Sequence, residues 1–259
     1  MDLKTSWLGL ELKNPFVPSA SPLSRSLETA QRLQDAGAAA IVMYSLFEEA
    51  VRAEEEGMTR FLHHQETGNA EAASYLPAKQ DFPGELDRYL EQIAALKATL
   101  EIPVVASLNG VTASGWIEHA SEIADAGADA LELNIYYVAA DIQEDGLQVE
   151  QRYLRVLQEL YKRVEIPINM KLSPFFSSVG NMVRQLEAAG ASGVSLFNRF
   201  YQPDIQIDGL RLNNALPATR SADALLAMHW VAILHGRVGC SIGATGGVHD
   251  SEDAIKMLL

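Results

Sequence analysis

The chain has 259 residues, 48% of them hydrophobic, with a formal net charge of −14 and a sequence pI near 4.8. This length and apolar content are enough for one sizeable core. A single α/β barrel domain over residues 1–259 fits the length without a linker. The acidic balance disfavours a nucleic-acid or anionic-membrane partner, and no apolar run reaches the roughly 18 residues that a membrane span requires, so we expect a cytoplasmic protein.

The first residues predict a small element that precedes the main fold. Residues 5–14 partly alternate apolar and polar side chains around Gly9, which indicates a short two-stranded ribbon placed to plug the bottom of a barrel. Residues 15–20 are predicted as a first buried strand, and Ser26 is predicted to cap the helix after it. A helix, a glycine and an apolar strand then follow one another at Gly37, Gly127 and Gly190.

Apolar runs alternate with amphipathic segments along the whole chain, which indicates a parallel sheet covered by helices. Strands are predicted near residues 16, 41, 104, 132, 169, 195 and 241. We therefore predict a TIM (β/α)8 barrel with a short N-terminal β-ribbon and with its last strand missing from this chain. Truncation of a longer parent is the favoured explanation, and a sheet left open beside its first strand is the alternative.

One connection, over residues 48–82, is unusually long and lacks clear periodicity. Connections of this length are typical of lids or binding loops, so we predict an active-site lid insertion there. The adjacent His63 and His64, with His249 far along the chain, lack a second ligand set at zinc spacing. No metal site is predicted.

Gly246 and Gly247 follow an apolar run and precede a helix-like segment that opens at Asp250. Glycines let backbone N–H groups approach an anion, and a helix start adds partial positive charge, so this stretch predicts a phosphate cradle. A tight turn without a ligand is the alternative. The only cysteine, Cys240, lies in the same apolar run and is predicted to be a buried small hydrophobe, which excludes disulfides within this chain.

Polar residues close most of the predicted strands, where the ligands of a parallel barrel bind. Lys171 ends an otherwise apolar strand, so its ammonium needs either an anionic or electron-rich ligand or an ion pair with Glu132. Asn134 and Asn198 end two other strands, and their amides suit a planar ligand with alternating donors and acceptors, although each is equally consistent with a loop cap.

These residues together resemble the dihydroorotate dehydrogenase family, including the related catalytic domain of dihydropyrimidine dehydrogenase, over residues 8–259. The motifs that carry the resemblance are Asn14-Pro15-Phe16 with Ser19-Ala20, Glu132-Leu133-Asn134, Met170-Lys171-Leu172, Asn198, and Ala244-Thr245-Gly246-Gly247. The resemblance implies an FMN enzyme on an eight-stranded α/β barrel. It implies oxidation of dihydroorotate, or of a related CH–CH substrate, in pyrimidine metabolism.

The resemblance also implies roles for single residues. Those assigned to FMN are Ser19, Ala20, Tyr44, Ser45, Asn134, Lys171, Gly246 and Gly247, with the two glycines at the phosphate. Those assigned to the small-molecule substrate are Asn198 and Ser74, and the catalytic assignments are Tyr137 and Lys171. A homodimer and an unidentified electron-transfer partner are further expectations from the family.

Two departures from the family pattern bear on the reaction. Tyr137 stands where the family usually has a serine or cysteine base, and Tyr44-Ser45 stands where it usually has Lys-Ser. A tyrosine with an ordinary pKa near 10 is a poor base but a competent acid at neutral pH, which favours ene reduction as a second hypothesis. Two further hypotheses are a sugar-phosphate aldolase or isomerase with a Schiff base at Lys171, and a non-catalytic flavin-binding protein.

Overall fold

The computed structural model describes residues 2–54, 84–110, 113–199, 203–213 and 218–259, without the side chains of 113–118. In chain order its strands are β1 (Thr5–Trp7), β2 (Leu10–Leu12), β3 (Ile41–Phe47), β4 (Val104–Asn109), β5 (Ala130–Asn134), β6 (Ile168–Leu172), β7 (Gly193–Leu196), β8 (Asp204–Gln206), β9 (Arg211–Asn213) and β10 (Ser241–Ala244). Its helices are α1 (Leu27–Asp35), α2 (Glu85–Thr99), α3 (Ala113–Asp125), α4 (Gly146–Tyr161), α5 (Val179–Ala188), α6 (Ala224–Leu234) and α7 (Ser251–Leu258).

Six parallel strands form the main sheet, in the order β10-β7-β6-β5-β4-β3. Neighbours in the sheet are mostly successive strands joined through helices, which is the arrangement of a TIM-barrel-like α/β fold. The largest apolar cluster lies between the sheet and its helices and contains the fully buried Tyr89, Tyr153 and Met43. In the described part of the chain the sheet remains open between β3 and β10.

The amino-terminal ribbon closes one end of the sheet. β1 and β2 pair antiparallel, and the turn between them places Leu8 and Gly9 at positive φ. Leu8 packs in one buried cluster with Val42 and Val105, while its N–H donates to the Ser241 hydroxyl at 2.9 Å. Val42 and Ser241 lie at the amino ends of the two edge strands, so the sheet curls around Leu8, and the ribbon lies where the predicted plug would be.

The predicted strand over residues 15–20 is wrong. This segment is extended but has no strand pairing: only the carbonyls of Phe16 and Pro18 accept bonds, from the N–H groups of Ala39 and Val42. Pro15 and Pro18 have no N–H to donate, so a regular ladder cannot form. The segment therefore lies beside β3 without adding a seventh strand.

Local signals elsewhere are borne out. Ser26 accepts from the N–H of Thr29 and caps α1, as predicted. Gly37, Gly127 and Gly190 have φ of +107°, +99° and +109° just after three helices, in the left-handed region that ends a helix at low cost for glycine.

Two features lie outside the sequence predictions or outside the described residues. β8 and β9 form an antiparallel hairpin between β7 and α6 that the sequence patterns did not predict. Of the predicted lid, residues 48–54 are helical, and residues 55–82 lie outside the described residues. None of the helices in the described ranges combines the length and apolar composition that crossing a bilayer requires.

Candidate active site

The inner face of β5, β6 and β7 carries a group of polar side chains, above the small residues Ala130 and Gly193 with which β5 and β7 begin. Their register places Glu132 opposite Asn169, and Lys171 between Asn134 and Ser195. Because strand side chains alternate, the intervening leucines, methionine and valine point outward under the helices. The alternation that buries apolar side chains under the helices therefore places the polar side chains together on the inner face of the sheet.

The deeper part of this inner face is a hydrogen-bonded network around Glu132. Lys171 Nζ lies 3.3 Å from Glu132 Oε1, and Asn169 Nδ2 donates to Glu132 Oε2 at 3.2 Å. Asn169 also donates to the Ser195 hydroxyl at 2.8 Å, and Ser195 lies within 3.5 Å of Glu132 Oε2. Glu132 is 3% exposed and Lys171 9%, so the ion pair with Glu132, one of the two partners considered for Lys171, is present.

The ion pair leaves Lys171 with donor capacity. An ammonium has three N–H bonds, and among the described residues Glu132 is the acceptor found for one of them. The Asn169 Oδ1 atom is likewise buried without a partner in the described part of the chain. Polar groups in this state favour a polar ligand or ordered water inside the sheet.

Asn134 and Asn198 form a second layer towards the carboxyl ends of the strands. Asn198 Nδ2 donates to Asn134 Oδ1 at 2.6 Å and lies 3.4 Å from the carbonyl of Lys171. The Asn198 N–H donates to Leu172 O at 2.7 Å, which fixes its backbone beside β6. The structure thus brings together three of the predicted site residues, each at most 9% exposed: Asn134, Lys171 and Asn198.

Tyr44 and Ser45 face different layers. The Ser45 hydroxyl lies 2.9 Å from that of Ser107, its partner across the sheet. The Tyr44 ring meets Tyr89 of α2 edge-on at 5.1 Å, with the Arg25 guanidinium 4.1 Å above it, and burial raises its pKa. Only Ser45 of this predicted pair therefore lies on the inner face.

Gly246 and Gly247 form a left-handed turn against the start of α6. Their φ angles are +93° and +74°. A Cβ on Gly247 would lie 2.9 Å from Ala224 Cα and closer still to the Ala224 nitrogen, so a side chain has no room there. The turn therefore brings bare backbone to a helix start, where anions are favoured.

The segment after this turn is tied down by Asp253. Its carboxylate accepts from the Ser221 hydroxyl at 2.7 Å and from the His249 N–H at 3.0 Å. These bonds lower the pKa of Asp253. They join the start of α7 to the turn of helix that precedes α6.

Tyr137 lies in the connection between β5 and α4, where its hydroxyl donates to Glu144. Arg152 of α4 donates to the same carboxylate at 2.6 Å, and its guanidinium lies 4.1 Å from the centre of the Tyr137 ring. The bond to Glu144 is the main reason that the pKa of Tyr137 is raised. Sequence reasoning missed Glu144 and Arg152, although Asp145 and Gln148 form a capping box that marks the start of α4.

The remaining predicted site residues lie apart from this cluster or beyond the described residues. Ser19 is exposed, and the half-buried Ala20 packs against the apolar cluster of Leu8 and Val42. Ser74 lies outside the described residues, as does most of the predicted lid.

Comparison with known proteins gives the following relatives. No protein-family model matches the chain. The catalytic subunit of dihydroorotate dehydrogenase B (NAD(+)) from Geobacillus sp. (strain WCH70) is 25% identical over 96% of this chain and 78% of its own length. Its namesake from Methanothermobacter thermautotrophicus is 26% identical over 99% and 82%. Dihydroorotate dehydrogenase A (fumarate) from Lactobacillus delbrueckii subsp. bulgaricus is 23% identical over 97% and 81%.

A solved structure supports the fold alone. The IMP dehydrogenase/GMP reductase-like protein from Corynebacterium glutamicum superposes with a TM-score of 0.52 at 17% identity. The match covers 99% of this chain and 64% of that protein, so the chain spans less than two thirds of its length. Together, the relatives confirm the resemblance to the dihydroorotate dehydrogenases that the motifs predicted.

Proposed function

We propose that this chain, similar to dihydroorotate dehydrogenases over nearly its whole length, is an FMN-dependent oxidoreductase. Its substrate would be dihydroorotate or a related cyclic compound with a reactive CH–CH bond. The observation that carries the proposal is the convergence of Asn134, Lys171 and Asn198 at the carboxyl ends of three adjacent parallel strands. Ligands of parallel barrels bind at that end.

The donor set suits a flavin. A flavin ring has a polar edge with carbonyl oxygens and ring nitrogens, and the Lys171 ammonium and Asn134 amide supply donors for it. The Gly246–Gly247 turn supplies backbone N–H groups and a helix start for a phosphate, with no room for a side chain at Gly247. FMN would supply the hydride chemistry, and the chain would supply binding and orientation.

Five polar residues of the inner face have a defined part in this proposal. Glu132 holds Lys171 in place, and Lys171 presents its remaining N–H bonds to the ligand. Asn198, held by Asn134 and by the backbone of β6, offers its carbonyl oxygen to the substrate. Ser45 can contact either ligand from β3, since its side chain lies on the inner face.

Several assignments remain predictions of the sequence. The resemblance implies the contacts of Ser19, Ala20 and Tyr44 with the flavin, the contact of Ser74 with the substrate and the homodimer. The lid over residues 48–82 is predicted from the length of that connection, and the cytoplasmic location from the acidic charge and the lack of a membrane-spanning apolar run in the sequence. Two of the relatives are named as catalytic subunits, which supports the proposal of an electron-transfer partner for this chain.

Ene reduction is a second candidate, and the environment of Tyr137 favours it. The raised pKa keeps the phenol protonated at neutral pH, so Tyr137 has a proton to give and is a poor acceptor of one. The same enzyme type would then add hydrogen to a C=C bond rather than remove it.

Steady-state turnover tests the proposal. FMN-loaded protein should reduce a dye acceptor with dihydroorotate or, in the second candidate, reduce a cyclic enone or enoate. Asn198→Ala should lose most of this activity, whereas Asn181→Ala, which removes an exposed amide on α5 that binds Gln185, should retain it. Equal activity of both variants contradicts the site. Borohydride trapping of a carbonyl substrate on Lys171 would replace the proposal with an aldolase activity.

A further inference from the structure

Three side chains from one loop and one helix meet in the connection after β5. Tyr137 and Glu144 lie on the loop, and Arg152 lies two turns into α4. The hydroxyl of Tyr137 donates to Glu144 Oε2, while Arg152 donates to Glu144 Oε1 at 2.6 Å. The Arg152 guanidinium also stacks on the Tyr137 ring at 4.1 Å, so the three groups form a closed set of contacts.

This set fixes the Tyr137 hydroxyl more firmly than a surface tyrosine would be fixed. The Glu144 side chain is 10% exposed and accepts on both oxygens, so each partner restricts the other. Arginine above an aromatic face adds a cation–π contact. The phenol therefore has one defined proton acceptor and one defined cation.

The charges around Tyr137 act in opposite directions. The hydrogen bond to Glu144 is the main cause of the raised pKa of Tyr137, followed by burial; the charges of Glu144 and, less strongly, Asp141 on the same loop also raise it, while that of Arg152 lowers it. The connection after β6 contributes Ser173, Phe175 and Phe176 to a cavity of about 230 Å³ beside Tyr137, and α4 contributes Tyr153. Burial raises the pKa of Tyr153 to about 12, so it remains neutral near pH 7.

We propose that Glu144 and Arg152 are positioning residues for Tyr137, which hold its hydroxyl protonated and in place as the acid of ene reduction. This inference rests on the proposed function and narrows it to proton donation. For this step the single Oη hydrogen of Tyr137 must turn from Glu144 to the substrate. The Oη–H bond then breaks, the proton goes to a substrate carbon, and the electron pair stays on Oη until water returns a proton. In the proposed function, reduced flavin would supply the hydride that the neighbouring carbon needs.

Arg152 has a separate part in that step. A phenolate formed beside Glu144 alone would meet a like charge, whereas the guanidinium over the ring offsets it. Glu144 therefore keeps the proton on Tyr137 at rest, and Arg152 limits the cost of releasing it.

NMR of ¹³Cζ-labelled tyrosine tests the inference on the protein without cofactor or substrate. The Tyr137→Phe variant identifies the Tyr137 resonance, which is then titrated over the alkaline range in which circular dichroism shows the fold intact. Glu144→Gln should move the titration of Tyr137 to lower pH, because a neutral amide replaces the carboxylate. Arg152→Met should move it to higher pH, because the cation is lost.

The opposite signs make the test specific. A merely structural role would loosen the loop in both variants and move both titrations towards the ordinary tyrosine value. Glu159→Gln is the matched control, since it removes a carboxylate of α4 that pairs with Lys162 at the surface, and it should leave Tyr137 unchanged. Shifts of the same sign, or none, overturn the inference. If the two variants shift in opposite directions but the protein turns over no substrate, the positioning contacts stand and only the proposed function is rejected.

Discussion

Replacing Gly247 with alanine tests the tight approach of the glycine turn to α6. The substitution forces an L-residue to φ +74°, which costs about 1–2 kcal/mol. It also places a Cβ 2.9 Å from both Cα and Cβ of Ala224, an overlap of the kind that costs about 1–3 kcal/mol. The free energy of unfolding should therefore fall by about 2–5 kcal/mol.

Thermal unfolding followed by circular dichroism measures this effect. At roughly 2–4 °C per kcal/mol for a chain of this size, Gly247→Ala should lower Tm by about 4–20 °C. Gly9→Ala is the matched control, because Gly9 has φ +78° with nothing within 4 Å of an added Cβ. It should lower Tm by about 2–8 °C, the backbone cost alone. Equal losses in the two variants would refute the close contact with Ala224.

Three further predictions concern ionisable groups. Lys171→Met should lower the free energy of unfolding by about 3–5 kcal/mol, because it leaves Glu132 buried without its cation. In urea titrations, the double variant Lys171→Met/Glu132→Gln should lose less free energy of unfolding than the sum of the two single variants. Losses that add strictly would contradict a coupled pair. Burial raises the pKa of Cys240 to about 11, so near pH 8 a thiol reagent should label it about 200-fold more slowly than an exposed cysteine, unless the strand opens. The pKa of Asp253 is lowered, chiefly by the Ser221 hydroxyl, so its stabilising effect exists above its ordinary pKa and is lost as the pH falls through the lower folded value. The Tm gap between the native chain and Asp253→Asn should shrink from about pH 5 to about pH 3, and a constant gap would contradict it.

The parts of the fold that the sequence predicts depend on short-range rules. The helix ends at Gly37, Gly127 and Gly190 could be predicted because a glycine in the left-handed conformation commonly ends a helix and is visible in the local sequence. The inward orientation of Asn134 and Lys171 could be predicted because side chains alternate between the two faces of a strand, so polar residues within an apolar run share one face. Residues 15–20 misled the prediction because apolar content alone does not provide the N–H groups that Pro15 and Pro18 lack.

The parts that it does not predict depend on register and on contacts between distant residues. From alternation, Tyr44 would join Val42 on the inner face. A register shift between Val42 and Ser45 inserts one extra residue in β3, and Ser45 takes that place opposite Ser107. The partners of Lys171 and Tyr137 were likewise undetermined, since Glu132 lies 39 residues from Lys171, and no periodic pattern connects Glu144 with Arg152.

Anaerobic mixing of the FMN-reconstituted chain with dihydroorotate tests whether the protein is a flavin-dependent CH–CH oxidoreductase. FMN should remain bound through gel filtration, and its visible absorption band should bleach on mixing. For ene reduction, the band of the prereduced protein should return on adding a cyclic enone or enoate. Loss of the bound FMN after reconstitution, or a band that responds to neither class of substrate, would contradict a flavin-dependent CH–CH oxidoreductase.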